Sequence, residues 1–126
     1  MTGGIDWLVR VAWTALAALH LAPAAVPFAP TLVRRLYGVA PDGDVGILVI
    51  HRGALFLAVA LAAAWGALDA AVRPLAATLV AVSMVGFLFV YVRAGMPPGA
   101  LRPIAVADAV GLIPLAFVAT MAWRAA

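Results

Sequence analysis

Residues 45–68 read VGILVIHRGALFLAVALAAAWGAL. One fixed charge, Arg52, interrupts an otherwise apolar run of 24 residues. A hydrocarbon core ~30 Å thick needs about 20 apolar residues to be crossed as a helix. The stretch therefore reads as a membrane span. Asp69 closes it, and Asp42-Gly43-Asp44 forms a turn before it, with Asp44 as the expected N-cap.

The rest of the chain repeats this pattern. Apolar runs bounded by Pro, Gly and Arg place spans at about 5–26, 45–68, 74–92 and 103–123. Pro23, Pro27 and Pro30 close the first, since each lacks an amide and disfavours helix at the residue before it. Pro74 opens the third and Pro103 the fourth, where a missing amide costs little. Gly95-Met96-Pro97-Pro98-Gly99 separates these two. Residues 1–126 are thus expected to form a single all-α domain, a four-helix transmembrane bundle with short loops. In the first loop, Thr31 caps a short interfacial helix that ends at Gly38 and turns Arg34 and Arg35 toward headgroups.

Composition agrees. Of 126 residues, 67% are apolar and 10% charged, against ~45–50% and about a quarter in soluble domains. Lys, Glu, Asn, Gln and Cys are absent. A disordered chain, a soluble nucleic-acid binder and an ordinary cytosolic enzyme are excluded. The isoelectric point near 10.7 reflects eight Arg against five Asp, a net +3 too scattered to form a nucleic-acid patch. The lack of Cys removes disulfides, thiolate metal sites and thiol redox chemistry. The partner read from composition is the lipid bilayer, with another membrane subunit or a second copy left open.

Trp7, Trp65 and Trp123 sort to the side of the termini, and Phe28, Tyr37 and Tyr91 to the other, as aromatic belts do. Interfacial Arg34, Arg35, Arg93 and Arg102 outnumber Arg10, Arg73 and Arg124, which orients the termini outside the cytoplasm. The first segment is read as a retained span. Ala22-Pro23-Ala24-Ala25 only faintly resembles a cleavage site, and Asp6 spoils a basic leader.

Helix packing in a membrane relies on close approach and polar contacts. Ala54, Ala58, Ala62 and Gly66, four apart, form the expected contact face of the second span. Ala107 and Gly111 make a shorter one in the fourth. Asp6 with Arg10 and Asp69 with Arg73 are expected to pair at i, i+4.

Ionisable residues inside spans mark function by default. Here they are His20, His51, Arg52 and Asp108, each roughly 8–11 Å inside on the side of the first loop at 1.5 Å per residue. Two readings stand. In the first, Arg52 and Asp108 pair and staple the second span to the fourth. In the second, the layer is a site for a quinone, lipid or anion. Two histidines on two helices also raise bis-His haem, but His51 adjoins Arg52 and His20 lacks a partner to fix its tautomer. No metal set is present. Asp42-Gly43-Asp44 lacks the closing Glu of a calcium loop. Ser83, the only serine, is placed at a different depth from both histidines, which leaves no nucleophile set. A proton-coupled exporter would keep a lone acid near mid-span, and a transporter needs an oligomer and a water path.

The whole chain resembles the small four-helix bacterial membrane proteins of the DoxX-like kind. The likeness lies in its size, the proline-rich first connection ending in Leu36-Tyr37-Gly38, His51-Arg52-Gly53 early in the second span, and the Gly95-to-Arg102 loop before a helix carrying Asp108. The resemblance implies a bacterial inner-membrane location and a non-catalytic accessory or structural role, in a group that includes subunits of quinone-linked oxidoreductases.

Overall fold

The computed structural model describes residues 2–126. Its helices are α1 (Thr2–Leu19), α2 (Leu21–Ala24), α3 (Leu32–Tyr37), α4 (Gly43–Leu68), α5 (Arg73–Arg93) and α6 (Leu101–Ala125), with a 3₁₀ turn at Ala70–Val72. No strand occurs among the described residues. Three helical stretches are long and apolar enough to cross a membrane: Gly43–Leu68, Ala70–Arg93 and Leu101–Ala125. The 18 residues of α1 carry Asp6 and Arg10 in their outer half and pack against both α4 and α6.

Neighbouring long helices run antiparallel. Trp13 of α1 lies over Gly66 of α4, and Pro23 and Pro27, beyond the other end of α1, lie over Gly53. Gly111 of α6 is covered by Leu19 and Met84. Val9, Trp13, Leu16, Val80, Met84 and Val118 fill the space between. The indole of Trp13 is fully buried with no acceptor for its Nε1–H, a group that costs about 1–3 kcal/mol when left unpaired. It thus sits apart from Trp7, Trp65 and Trp123, which are all more than half exposed near one end of the molecule.

The first helix does not run to Val26. It ends at Leu19, and His20 is a turn whose amide bonds back three residues, to Ala17, at 3.1 Å. Pro23 is the cause. It has no amide for the Leu19 carbonyl, and its ring crowds that carbonyl. By contrast, Gly38 ends α3 at φ +69°, as its lack of a Cβ allows. The residue before α4 is Asp42, not Asp44, and its side chain makes no capping bond. Thr31 precedes α3, also without a side-chain bond.

The contact face of α4 differs from expectation. Ala54 and Ala58 are exposed, Ala62 is half-buried, and only Gly66 of that set is buried. The buried positions are Gly46, Gly53, Ala60 and Ala67, seven apart, with Ala63 and Gly66 beside them. Steps of four advance about 40° around a helix, so the three steps from Ala54 to Gly66 turn about 120° off one face. Steps of seven drift only about 20°. Asp69 and Arg73 take other partners in place of their expected i, i+4 pair. Asp69 accepts from the Ala71 amide at 2.9 Å, and Arg73 Nε donates to the Gly66 carbonyl at 2.9 Å, satisfying an acceptor in the last turn of α4. No arginine–carboxylate pair reaches salt-bridge distance among the described residues.

Tyr91 departs from the belt as well. It is buried, and its hydroxyl donates to the Pro97 carbonyl at 3.0 Å. Gly95 at φ +85° and the Met96 amide, bonded to the Tyr91 carbonyl at 3.1 Å, close α5 in a left-handed cap.

A Cβ on Gly53 would lie 2.6 Å from Pro27 Cδ and 2.8 Å from the Pro23 carbonyl oxygen. Gly53→Val is therefore expected to lose about 1–3 kcal/mol by overpacking. Gly86→Val, where nothing lies within 4 Å, should change little. Thermal melts of the two variants in detergent check the difference.

Candidate functional site

The break after α1 leaves His20 buried, at 2% exposure, among α1, α4 and α5. Its Nδ1 lies 2.8 Å from the Leu16 carbonyl. A carbonyl only accepts, so Nδ1 carries the hydrogen. In the neutral ring Nε2 is then an acceptor, and it takes the Ser83 hydroxyl at 3.1 Å. His20 therefore has a partner that fixes its tautomer, and Ser83 is not out of its reach. Depth counted along backbones overstated the separation of two side chains that extend toward one another. Phe56 flanks the imidazole, with ring centroids 5.8 Å apart.

Arg52 is half-buried one residue before the Gly53 seat. Its guanidinium lies 4.9 Å from the Phe56 ring centre, 5.4 Å from Phe87 and 5.9 Å from Tyr37. The rings come from α4, α5 and α3. Each presents the negative face of its quadrupole, worth about 0.5–2 kcal/mol to a cation according to its desolvation. The expected Arg52–Asp108 ion pair is thus not formed, and rings hold the cation instead.

Between these groups lies a cavity of about 210 Å³, room for several water molecules. The α1–α2 turn contributes His20 to its wall, α2 Pro23, α3 Tyr37, α4 Arg52 and Phe56, and α6 Asp108 and Ile104. Asp108 is half-buried. Burial pushes the Tyr37 phenol above its ordinary pKa, and nearby Arg52 opposes the shift.

Three of the four sequence-predicted residues, His20, Arg52 and Asp108, meet here. His51 does not. It is exposed on α4 and lines none of the cavity. Arg34, Arg35, Arg93 and Arg102 are exposed and also outside it. Arg93 lies 5.8 Å from the Phe89 ring centre. Sequence reasoning missed Tyr37, Phe56, Phe87 and Ser83. Phe56 carried a usable signal, since it lies four residues after Arg52 and shares its face.

No cluster of three His, Cys, Asp or Glu suited to a metal occurs among the described residues. The described pocket presents one cation and one carboxylate, with both ring nitrogens of His20 engaged. Fold and site together define an all-helical protein with membrane-length helices and a half-enclosed, mostly apolar cavity near one end that carries a few polar side chains. Comparison with protein-family models, curated proteins and solved structures finds no match to the chain.

Ser83→Ala should remove the bond to Nε2 while the Nδ1–H tautomer persists, at a cost of about 0.6 kcal/mol, the average for such bonds in membrane bundles. Nitrogen-15 spectra of histidine-labelled protein read this directly. The Nε2 resonance of His20 is expected to shift, and that of exposed His51 to stay in place.

Proposed function

We propose that the chain is a four-span bacterial inner-membrane protein of DoxX-like type that binds a small molecule between Arg52 and Asp108. In this reading it is a non-catalytic subunit whose ligand is a quinone, a lipid or another small polar molecule. One observation carries the proposal: Arg52 and Asp108 face the same cavity without closing on one another. A staple between helices needs the pair made, because its attraction must offset the loss of hydration of both charges. Here the cation is held by rings and the carboxylate is left to face the cavity. Haem has less support, since both nitrogens of His20 are engaged and His51 lies outside.

The four-span reading takes α1 as a span with Asp6 and Arg10 at its outer end. Its support is the antiparallel packing of α1 between two membrane-length helices and the shared end of Trp7, Trp65 and Trp123. The absence of native cysteine makes it testable. Single cysteines at Gly3, Ala70 and Ala125 are expected to react with an impermeant maleimide from one side of sealed vesicles. Cysteines at Arg35 and Gly99 should react from the other. Labelling of Gly3 and Ala70 from opposite sides would contradict the four-span reading.

Ligand binding is tested by native mass spectrometry of protein released from membranes. The wild type should retain a bound small molecule. Asp108→Ala should keep its melting midpoint and lose that mass by about tenfold, a change of about 1.4 kcal/mol. A staple predicts the reverse, a large loss of stability in the single variant and recovery when Arg52 is also made apolar.

A further inference from the structure

We infer that the ligand is a single-chain amphiphile with a small, net-neutral head: the head fills the His20–Arg52–Asp108 cavity and the chain lies in the groove between α1 and α6. This rests on the small-molecule reading above and adds the class of molecule and the place of its tail.

The groove is continuous with the cavity. Leu19 and Ala107 line the cavity and also the next stretch of the α1–α6 seam, together with Ala18 and Gly111. Ala15 and Pro114 carry the seam onward to Ile113 and Phe117. From Ala107 to Phe117 it covers ten helical steps, about 15 Å. Small residues, Ala15, Ala18, Ala107 and Gly111, make up part of its lining beside Leu19 and Val110. Gly111 in particular has no room for a Cβ, because Leu19 and Met84 close over it. Pro114 lacks an amide, so the Val110 carbonyl loses its helical donor within the seam.

Depth and charge select the occupant. Asp108 lies seven residues into α6, about 10 Å along its axis. A phospholipid headgroup drawn to that depth would surrender its hydration. A molecule dissolved within the hydrocarbon layer already lies there. The cavity holds one cation and one carboxylate, so a net anion would face Asp108 and a net cation Arg52. A neutral head with both a donor and an acceptor meets both. An apolar partner helix, or a second copy seated on the seam, would leave these two charges unmatched at the mouth of the groove.

The probe is 1-hexadecanol with a mid-chain diazirine, added to the protein in phosphatidylcholine nanodiscs, irradiated and mapped by peptide mass spectrometry. Adducts should concentrate on residues 11–18 and 110–117. Unlabelled hexadecanol should displace them and palmitate should not. Ala18→Phe fills the groove from an exposed position and should lower the yield about tenfold, while Ala54→Phe on the exposed face of α4 leaves it unchanged. Melting midpoints confirm that both variants fold. If Arg52→Gln abolishes labelling and Ala18→Phe does not, the cavity reading survives and the chain groove is overturned. If Ala18→Phe acts and Arg52→Gln does not, the head assignment is overturned. Insensitivity to both overturns both. Equal displacement by palmitate overturns the neutral head. A dimer that Ala18→Phe converts to monomer, with no labelling of the wild type, shows the groove to be covered by a second copy and overturns the inference.

Discussion

The seat of the Pro23–Pro27 turn on Gly53 is the constraint from which the rest of the structure follows. Lipid offers no hydrophobic drive between helices, so their association depends on how closely backbones approach. At Gly53 the Pro23 carbonyl and the Pro27 ring occupy the volume a Cβ would need. The chain leaving α1 is thereby folded down onto α4, and the next α4 residue toward its start is Arg52. His20, three residues before Pro23, is carried into the same layer. Gly46 repeats the device one heptad earlier, where the backbone of Ala40 and Pro41 rests on it. Gly66 repeats it near the other end under Trp13.

Once Arg52 is drawn inward, its charge needs company in a medium of low dielectric. The structure supplies it with rings rather than with a carboxylate. Phe56, Phe87 and Tyr37 surround the guanidinium without neutralising it. The planar, weakly hydrated guanidinium suits stacking better than an ammonium would. A charge satisfied by a carboxylate is closed to other partners, whereas a charge cushioned by rings keeps its in-plane donors available. Asp108 across the cavity is likewise left open to a partner, and His20 is locked by Leu16 and Ser83 into a fixed wall of the site.

Much of this was legible in the amino-acid sequence, and the exceptions have physical causes. Elements bounded by residues with strong local chemistry were placed within about two residues, the ordinary spread of helix ends. Gly38 ended α3, Asp69 followed α4, and Pro74 fell in the first turn of α5. The break at His20 was misplaced because Pro23 acts on the carbonyl four residues earlier, not on its own position. The packing face of α4 was misread because Ala is so frequent that steps of four and of seven both find small residues; only the neighbours choose between them. Of the site, His20, Arg52 and Asp108 were recognised from the cost of burying them. Of their contacts, Leu16 and Phe56 lie four residues from His20 and Arg52 and carried a local signal, whereas Tyr37, Ser83 and Phe87 come from α3 and α5, whose approach no local pattern encodes. The inward turn of Tyr91 had the same origin, since an aromatic near a helix end reads as interfacial until a tertiary contact claims it.

The central claim is that Arg52 is held by aromatic rings beside an open cavity rather than paired with Asp108. A high-resolution structure of the protein in lipid nanodiscs tests it most directly. The account predicts the guanidinium within about 6 Å of the Phe56 and Phe87 ring centres, and elongated density running from the cavity into the α1–α6 seam. A guanidinium in direct contact with the Asp108 carboxylate, with the cavity closed around the pair, would contradict it.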